Sequence, residues 1–222
     1  MVSTLIDDNP GTFAVLRMHI WEDAAHDYLE TPWGNQRLLF YDVGSSGVPW
    51  FAYDGLFDAW PINTYASKLA QRQAVPTDVT IDLWGVETSA QTYDLTAEVC
   101  IEAGGAGKTM TVYMVEVLDH YPATPTYYRN TLRQAATTED VTLAEGECAQ
   151  VTRTFVFDTT SWAQQTDIKI IAWAQTPAAA YPAEVHQAAE VAWPFSGGAP
   201  DPPIFEDGFE SGDTTMWSSD VP

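Results

Sequence analysis

The chain has 222 residues, 45% of them hydrophobic and 13% aromatic, which suffices for a sizeable core and argues against global disorder. Asp and Glu number 31 against 9 Lys and Arg, giving a net charge of −22, and a field of that sign argues against nucleic acid or anionic lipid as partner. No apolar run reaches the length of a membrane span, and the opening "MVSTLIDDNPG" lacks the basic and apolar regions of a signal peptide.

Residues 1–75 mix helical and strand periods. "FAVLRMHI" (13–20) is an almost continuously apolar run, as a buried parallel strand should be. "WGNQRLLFYDV" (33–43) is a short helical candidate, and a turn follows at Val48-Pro49. "WFAY" and "LFDAW" flank Asp54-Gly55, the strongest two-residue hairpin signal. "INTYASKLAQRQ" (62–73) then puts Ile62, Tyr65 and Leu69 on one helical face.

From residue 76 the apolar period changes from helical to alternating. Strands are predicted over 78–86, 92–101, 110–119, 148–158, 166–175 and 184–193, the last with alanines that also suit a helix. Regularly spaced strands separated by Gly-rich or Pro-rich turns argue for a β-sandwich over 76–195. Residues 196–222 carry no basic residue and much Gly, Ser and Pro, which reads as a linker and flexible acidic tail.

Cys100 and Cys148 are too few for a disulfide framework and too far apart for a CxxC motif, leaving two free thiols or one staple. Strand phase places Cys100 with Asp94, Thr96 and Glu98, and Cys148 with Gln150, Thr152 and Thr154. Both lie on polar faces, where a free thiol is a liability outside the cell and a bridge is inert. The staple is therefore favoured, and with it an oxidising compartment.

"FAVLRMHIW", "GVPWFAYDG", "VYMVEVLDHYPATPTYYRNTLRQ" and "EVHQAAEVAW" together resemble the bacterial outer-membrane-protein-28-related family. The resemblance covers residues 10–195 and implies export, with a thioredoxin-like domain followed by an immunoglobulin-like sandwich. "IFEDGFESGDTTMWS" is similar to short C-terminal motifs on secreted proteins of some Gram-negative bacteria, which implies an export or surface role. A thioredoxin-like unit would begin with a strand and a CxxC-bearing helix, and "VSTLID" (2–7) is readable as the last turns of that helix. The family's redox cysteines have no matching positions in this sequence. Only the Pro loop carries over, as Val48, Pro49 and Trp50, with a cis Val48-Pro49 bond expected. The strand without a counterpart would lie between 13–20 and the strand after Pro49, leaving edges that are either covered or sticky.

His19 and His26, with Met18, Glu22 and Asp23 nearby, match neither an HExxH helix nor a zinc spacing, so no metal site is assigned. Calcium stays open but unassigned, since no EF-hand loop is present and "DDNPG" is too short to specify a cage. His120 and His186 read as surface or satisfied residues. Arg129 and Arg133 suit carboxylate binding but should pair internally in so acidic a chain. Trp21 and Trp33 belong to an aromatic cluster in the first segment, and Trp60 and Trp84 read as core residues. Trp50, the loop residues Tyr121, Tyr127 and Tyr128, and with them His19 and Arg129, are the candidate ligand contacts. No catalytic residue or cofactor is assigned.

The sequence thus reads as α+β: an incomplete thioredoxin-like unit (1–75), an immunoglobulin-like sandwich (76–195), and a linker with acidic tail (196–222). The function expected is non-catalytic binding or assembly at the cell surface or outside it, the periplasm remaining open, with another protein or a second copy as partner. The alternative is a thiol–disulfide oxidoreductase whose CxxC segment lies upstream.

Overall fold

In the computed structural model the described residues are 2–20, 22, 24–46, 50–58, 62–123 and 128–195. Trp21, Asp23, Val48, Pro49, Trp60, Tyr127 and the tail lie outside them. The chain opens with helix α1 (Val2–Asp8), and residues 13–20 follow in extended form. Helix α2 (Pro32–Phe40) starts where the local chemistry dictates. Thr31 accepts a hydrogen bond from the Gly34 amide at 3.0 Å, and Pro32 occupies a first-turn position whose N–H has no helical acceptor. The one-turn helix α3 (Val43–Ser46) precedes a short hairpin, β1 (Ala52–Tyr53) with β2 (Phe57–Asp58), and helix α4 (Tyr65–Gln73). Asp54 and Gly55 both have positive φ, 46° and 65°, and the Leu56 amide closes on the Tyr53 carbonyl at 3.0 Å. The Asp-Gly signal gives the turn, but the ladder pairs Tyr53 with Phe57, so the loop holds three residues, 54–56, where the signal specifies two.

The remaining strands form two antiparallel sheets. One has three strands: β3 (Val79–Ser89), β4 (Thr92–Ile101) and β8 (Cys148–Val156), in that order. The other has five: β5 (Lys108–Leu118), β6 (Thr131–Ala135), β7 (Glu139–Leu143), β9 (Ile168–Gln175) and β10 (Val185–Ala192). Its path runs β10-β9-β5, and the far edge of β5 is shared end to end by β7 against Lys108–Val112 and β6 against Val115–Leu118. A short helix α5 (Thr159–Ala163), capped by the Asp158 side chain on the Ser161 amide, joins β8 to the five-stranded sheet. The architecture is mixed α+β, with two antiparallel sheets and a few helices. Among the described residues no helix is long and apolar enough to cross a membrane.

The main core lies between the sheets, where Leu95, Ala97, Val99 and Val151 face Met110, Val112, Met114, Ile170 and Ala172. A second layer covers the other face of the five-stranded sheet. There Val115, Val117, Leu132, Ile171 and Trp173 pack under Ala14, Leu16, Met18 and Trp33. Burial on both faces explains why β5 and β9 are almost continuously apolar instead of alternating. A smaller cluster of Leu5, Tyr53, Tyr65 and Leu69, with Phe13 and Phe51, joins α1, the hairpin and α4.

Five predicted strands match β3, β4, β5, β8 and β9 closely, and the Ala-rich 184–193 segment is also a strand, β10. The run 13–20 departs from expectation. It makes isolated parallel bridges, Arg17 to Thr131 and His19 to Glu30, in place of a continuous ladder. Its apolar character comes from lying on the outer face of the five-stranded sheet, at the edge of β6.

Candidate functional site

The extended segment 13–20 uses one of its two backbone edges. The Arg17 amide donates to the Asn130 carbonyl at 2.9 Å, and the Arg17 carbonyl accepts from the Leu132 amide at 2.9 Å. On the same edge the Val15 carbonyl accepts from the Asn130 side chain at 2.9 Å. Successive residues of an extended chain turn their polar groups to opposite edges. Leu16 and Met18 therefore present N–H and C=O away from β6, and no hydrogen bond is made there among the described residues.

That free edge opens into a groove of about 1710 Å³. One wall is Phe13–Ile20 and another is Trp50–Gly55. Ile171, Trp173 and Val185 lie along it from the five-stranded sheet, and Tyr65 and Leu69 of α4 close one side. Most charges at its rim are paired: Arg72 holds Asp54 at 2.8 Å and Glu184 at 3.6 Å, and Lys108 holds Asp78.

Side chains of the odd-numbered residues of 13–20 point away from Leu16 and Met18, and two of them meet Tyr128. The His19 ring lies 4.6 Å from that of Tyr128, and the Arg17 guanidinium sits over the same ring at 4.9 Å. His19 is 8% exposed, and its Nδ1 is 2.8 Å from Glu22 Oε1. Glu30, whose carboxylate accepts from the Glu22 amide at 2.6 Å, lies behind. Burial pushes the His19 pKa down and outweighs the Glu22 hydrogen bond and the Glu22 and Glu30 charges, which act the other way. Burial thus favours the neutral form of the ring. With a carboxylate at Nδ1 that nitrogen carries the proton, and Nε2 is left as a buried acceptor without a partner.

The other candidate contacts fall in different places. Trp50 lines the groove within an aromatic cluster, 5.1 Å from Tyr41 and 5.7 Å from Tyr181. Tyr121 pairs backbone to backbone with Tyr128, packs edge-on against Tyr28 at 6.1 Å, and has Arg133 over its ring at 4.8 Å. Arg129 lies behind the loop, its guanidinium gripping both oxygens of Asp119 and reaching Asp7 of α1. Burial pushes Asp119 up, but the Arg129 hydrogen bond and the charges of Lys169, Arg129 and His120 together hold it below the usual carboxylate range. Arg133 pairs with Asp158 at 3.0 Å. His120 lies 3.5 Å from Asp167, and His186 is 3.1 Å from the Thr176 hydroxyl. Among the described residues no three metal-ligating side chains converge. The cis bonds among them precede Pro122, Pro182 and Pro194, and the Val48-Pro49 bond lies outside the described residues.

One buried group has no signal in the sequence. Arg37 of α2 is 6% exposed, lies 3.9 Å over the Phe40 ring, and donates to Tyr41 at 3.0 Å and to Gln175 at 3.2 Å. Gln175 in turn donates to the Ala183 carbonyl at 2.8 Å. This network joins α2 to β9 and to the chain leading into β10. Of its members Tyr41 lines the groove, 5.1 Å from Trp50.

Cys100 and Cys148 are bonded on the outer face of the three-stranded sheet, directly opposite each other in the β4–β8 register. Neither lines the groove.

No protein-family model matches the chain, and no curated relative does. The fold is similar to that of HBP35 of Porphyromonas gingivalis, with a TM-score of 0.62 at 13% identity over 78% of this chain. The chain spans 61% of the HBP35 length. Looser likenesses are a domain of the outer membrane lipoprotein Omp28 from the same organism and a protein from Agrobacterium tumefaciens. For the Omp28 domain the TM-score is 0.37 at 16% identity, covering 53% of this chain and 90% of that one. For the Agrobacterium protein it is 0.46 at 14% identity, covering 79% and 75%. What is shared with HBP35 is the mixed α+β architecture.

Proposed function

We propose that this is an exported, non-catalytic binding or assembly protein that takes up an extended strand from another protein or a second copy. In this reading residues 1–75 are a degenerate thioredoxin-like unit, 76–195 an immunoglobulin-like sandwich, and 196–222 a linker with an acidic tail. The observation that carries the reading is the unpaired backbone edge of Leu16 and Met18 facing a groove long enough for several residues of extended chain. Burying such groups without partners is costly, so an added strand gains main-chain hydrogen bonds that the groove already offers. Export is supported by the Cys100–Cys148 bond, which belongs in an oxidising compartment.

The test is light scattering and peptide capture with the full chain and with Met18→Pro. Proline removes one N–H from the free edge and is tolerated on edge strands. Wild type should associate with rising concentration or capture strand-forming peptides, and the variant should do neither while its circular dichroism shows it still folded, at some cost in unfolding temperature from the lost Met18 packing. Equal behaviour of the two proteins would sink the reading.

A further inference from the structure

Two polar groups near the free edge, the Arg17 guanidinium and His19 Nε2, have no hydrogen-bond partner among the described residues, and they stand two residues apart on one face of the same extended segment. Arg17 makes no ion pair or side-chain hydrogen bond among the described residues, only the contact with Tyr128. Arg72, Lys108, Arg129, Arg133, Arg153 and Lys169 each hold a carboxylate. In a chain with 31 acidic residues to 9 basic ones, an unpaired guanidinium at a groove wall is an unused anion site. His19 supplies the second observation, because its Nε2 is buried, has no donor among the described residues, and is oriented through Nδ1 by Glu22. A buried acceptor of this kind costs free energy unless something donates to it.

The two groups are spaced for a strand. Residues i and i+2 of an extended chain share a face, and directly opposed side chains on a neighbouring strand approach to about 5 Å at Cβ. A segment bonded to the Leu16 and Met18 edge therefore sets its own i and i+2 side chains beside Arg17 and His19. Its alternate residues fall on the side of Leu16 and Met18, over Ile171 and Trp173. A long acidic run does not suit the site, since the net charge of −22 opposes it at a distance.

We propose that the groove selects an extended peptide bearing one carboxylate, bound by Arg17, and a hydroxyl or N–H donor two residues away, bound by His19 Nε2, with apolar residues between. This rests on the strand-docking reading above and adds to it the chemistry of the partner.

The test uses the full chain and three fluorescein-labelled heptapeptides followed by anisotropy: Lys-Val-Glu-Val-Thr-Val-Lys, its Gln-for-Glu counterpart and its Val-for-Thr counterpart. Each replacement should weaken binding to the unaltered protein by about tenfold, as loss of a hydrogen bond to a charged or buried group does. In Arg17→Gln the Glu/Gln difference should vanish while the Thr/Val difference persists, and in His19→Phe the reverse should hold. Equal affinity of the unaltered protein for all three peptides overturns this selectivity and leaves strand docking standing. Absence of saturable binding by any of them overturns both. The comparison on the unaltered protein keeps the test decisive even if a variant folds poorly.

Discussion

Cys100 and Cys148 stand directly opposite each other on β4 and β8, with their Cα atoms 4.0 Å apart. They extend a ladder of cross-strand pairs on the outer face of the three-stranded sheet. Asp94 accepts from Thr154, the Thr96 and Thr152 hydroxyls lie 2.8 Å apart, and Gln150 donates to Glu98 at 2.8 Å. Each pair is of the kind that stabilises an antiparallel sheet modestly, and the bridge adds a covalent member. It closes a loop with a sequence separation of 48 residues.

Replacing both cysteines by serine should cost about 4 kcal/mol, the loop-closure entropy expected for a loop of this length. Urea unfolding of the oxidised protein and of the double variant measures it. A loss below about 1 kcal/mol would mean that the strand pairing alone holds β4 to β8.

The Asp54-Gly55 turn is fixed from outside as well as by its own conformation. The Ala183 amide donates to the Gly55 carbonyl at 2.9 Å and the Val185 amide to the Asp54 carbonyl at 2.7 Å. An added Cβ at Gly55 would lie 1.9 Å from the Ala183 carbonyl oxygen, at a φ of +65°. Gly55→Ala should therefore destabilise by at least about 2 kcal/mol, through left-handed backbone and a backbone clash together. It should also detach the hairpin from the chain before β10, read as faster amide exchange at Ala183 and Val185. An unchanged melting temperature would contradict the placement of this turn.

Glu116 is 1% exposed inside the sandwich, with one oxygen accepting from Gln134 and the Ser161 hydroxyl also at hand. Burial pushes its pKa up and outweighs the hydrogen bonds and the Arg133 charge that oppose it. A carboxyl whose folded pKa lies above its unfolded value contributes stability below the unfolded pKa. That contribution is lost as pH rises through the folded value. Glu116→Gln keeps the shape and removes the ionisation. It should gain about 1–3 kcal/mol at pH 8 and close to nothing at pH 4 in paired urea titrations. A gain independent of pH would point to packing and not to charge.

Much of the fold was legible because local chemistry and tertiary structure agree. Asp54-Gly55 forms a hairpin turn, all six predicted strands are present, and the polar phase of Cys100 and Cys148 places them on one outer face. Strands β6 and β7 escaped notice because "TLRQA" and "EDVTL" are short and polar, and they divide between them the edge of the one long strand β5. The apolar run at 13–20 gave its burial but not its neighbour, since its backbone partners, Asn130, Thr131 and Leu132, lie far along the chain. The candidate site was legible only in part. His19 and Glu22 are close in sequence and Trp50 was singled out. The unpaired state of Arg17, the contact of both Arg17 and His19 with Tyr128, and the Arg37–Gln175 network all depend on long-range packing that no local pattern announces.

Strand uptake at the free edge is tested most directly by residue-resolved amide exchange of the full chain, with and without saturating Lys-Val-Glu-Val-Thr-Val-Lys peptide. Arg17 and Leu132, bonded across to each other's neighbourhood, should be protected in both samples. Leu16 and Met18 should exchange rapidly in dilute protein alone and at least about tenfold more slowly with peptide, as ladder formation protects amides. Leu16 and Met18 amides as protected as Arg17 from the outset, or left fast while the peptide is bound, would contradict the account.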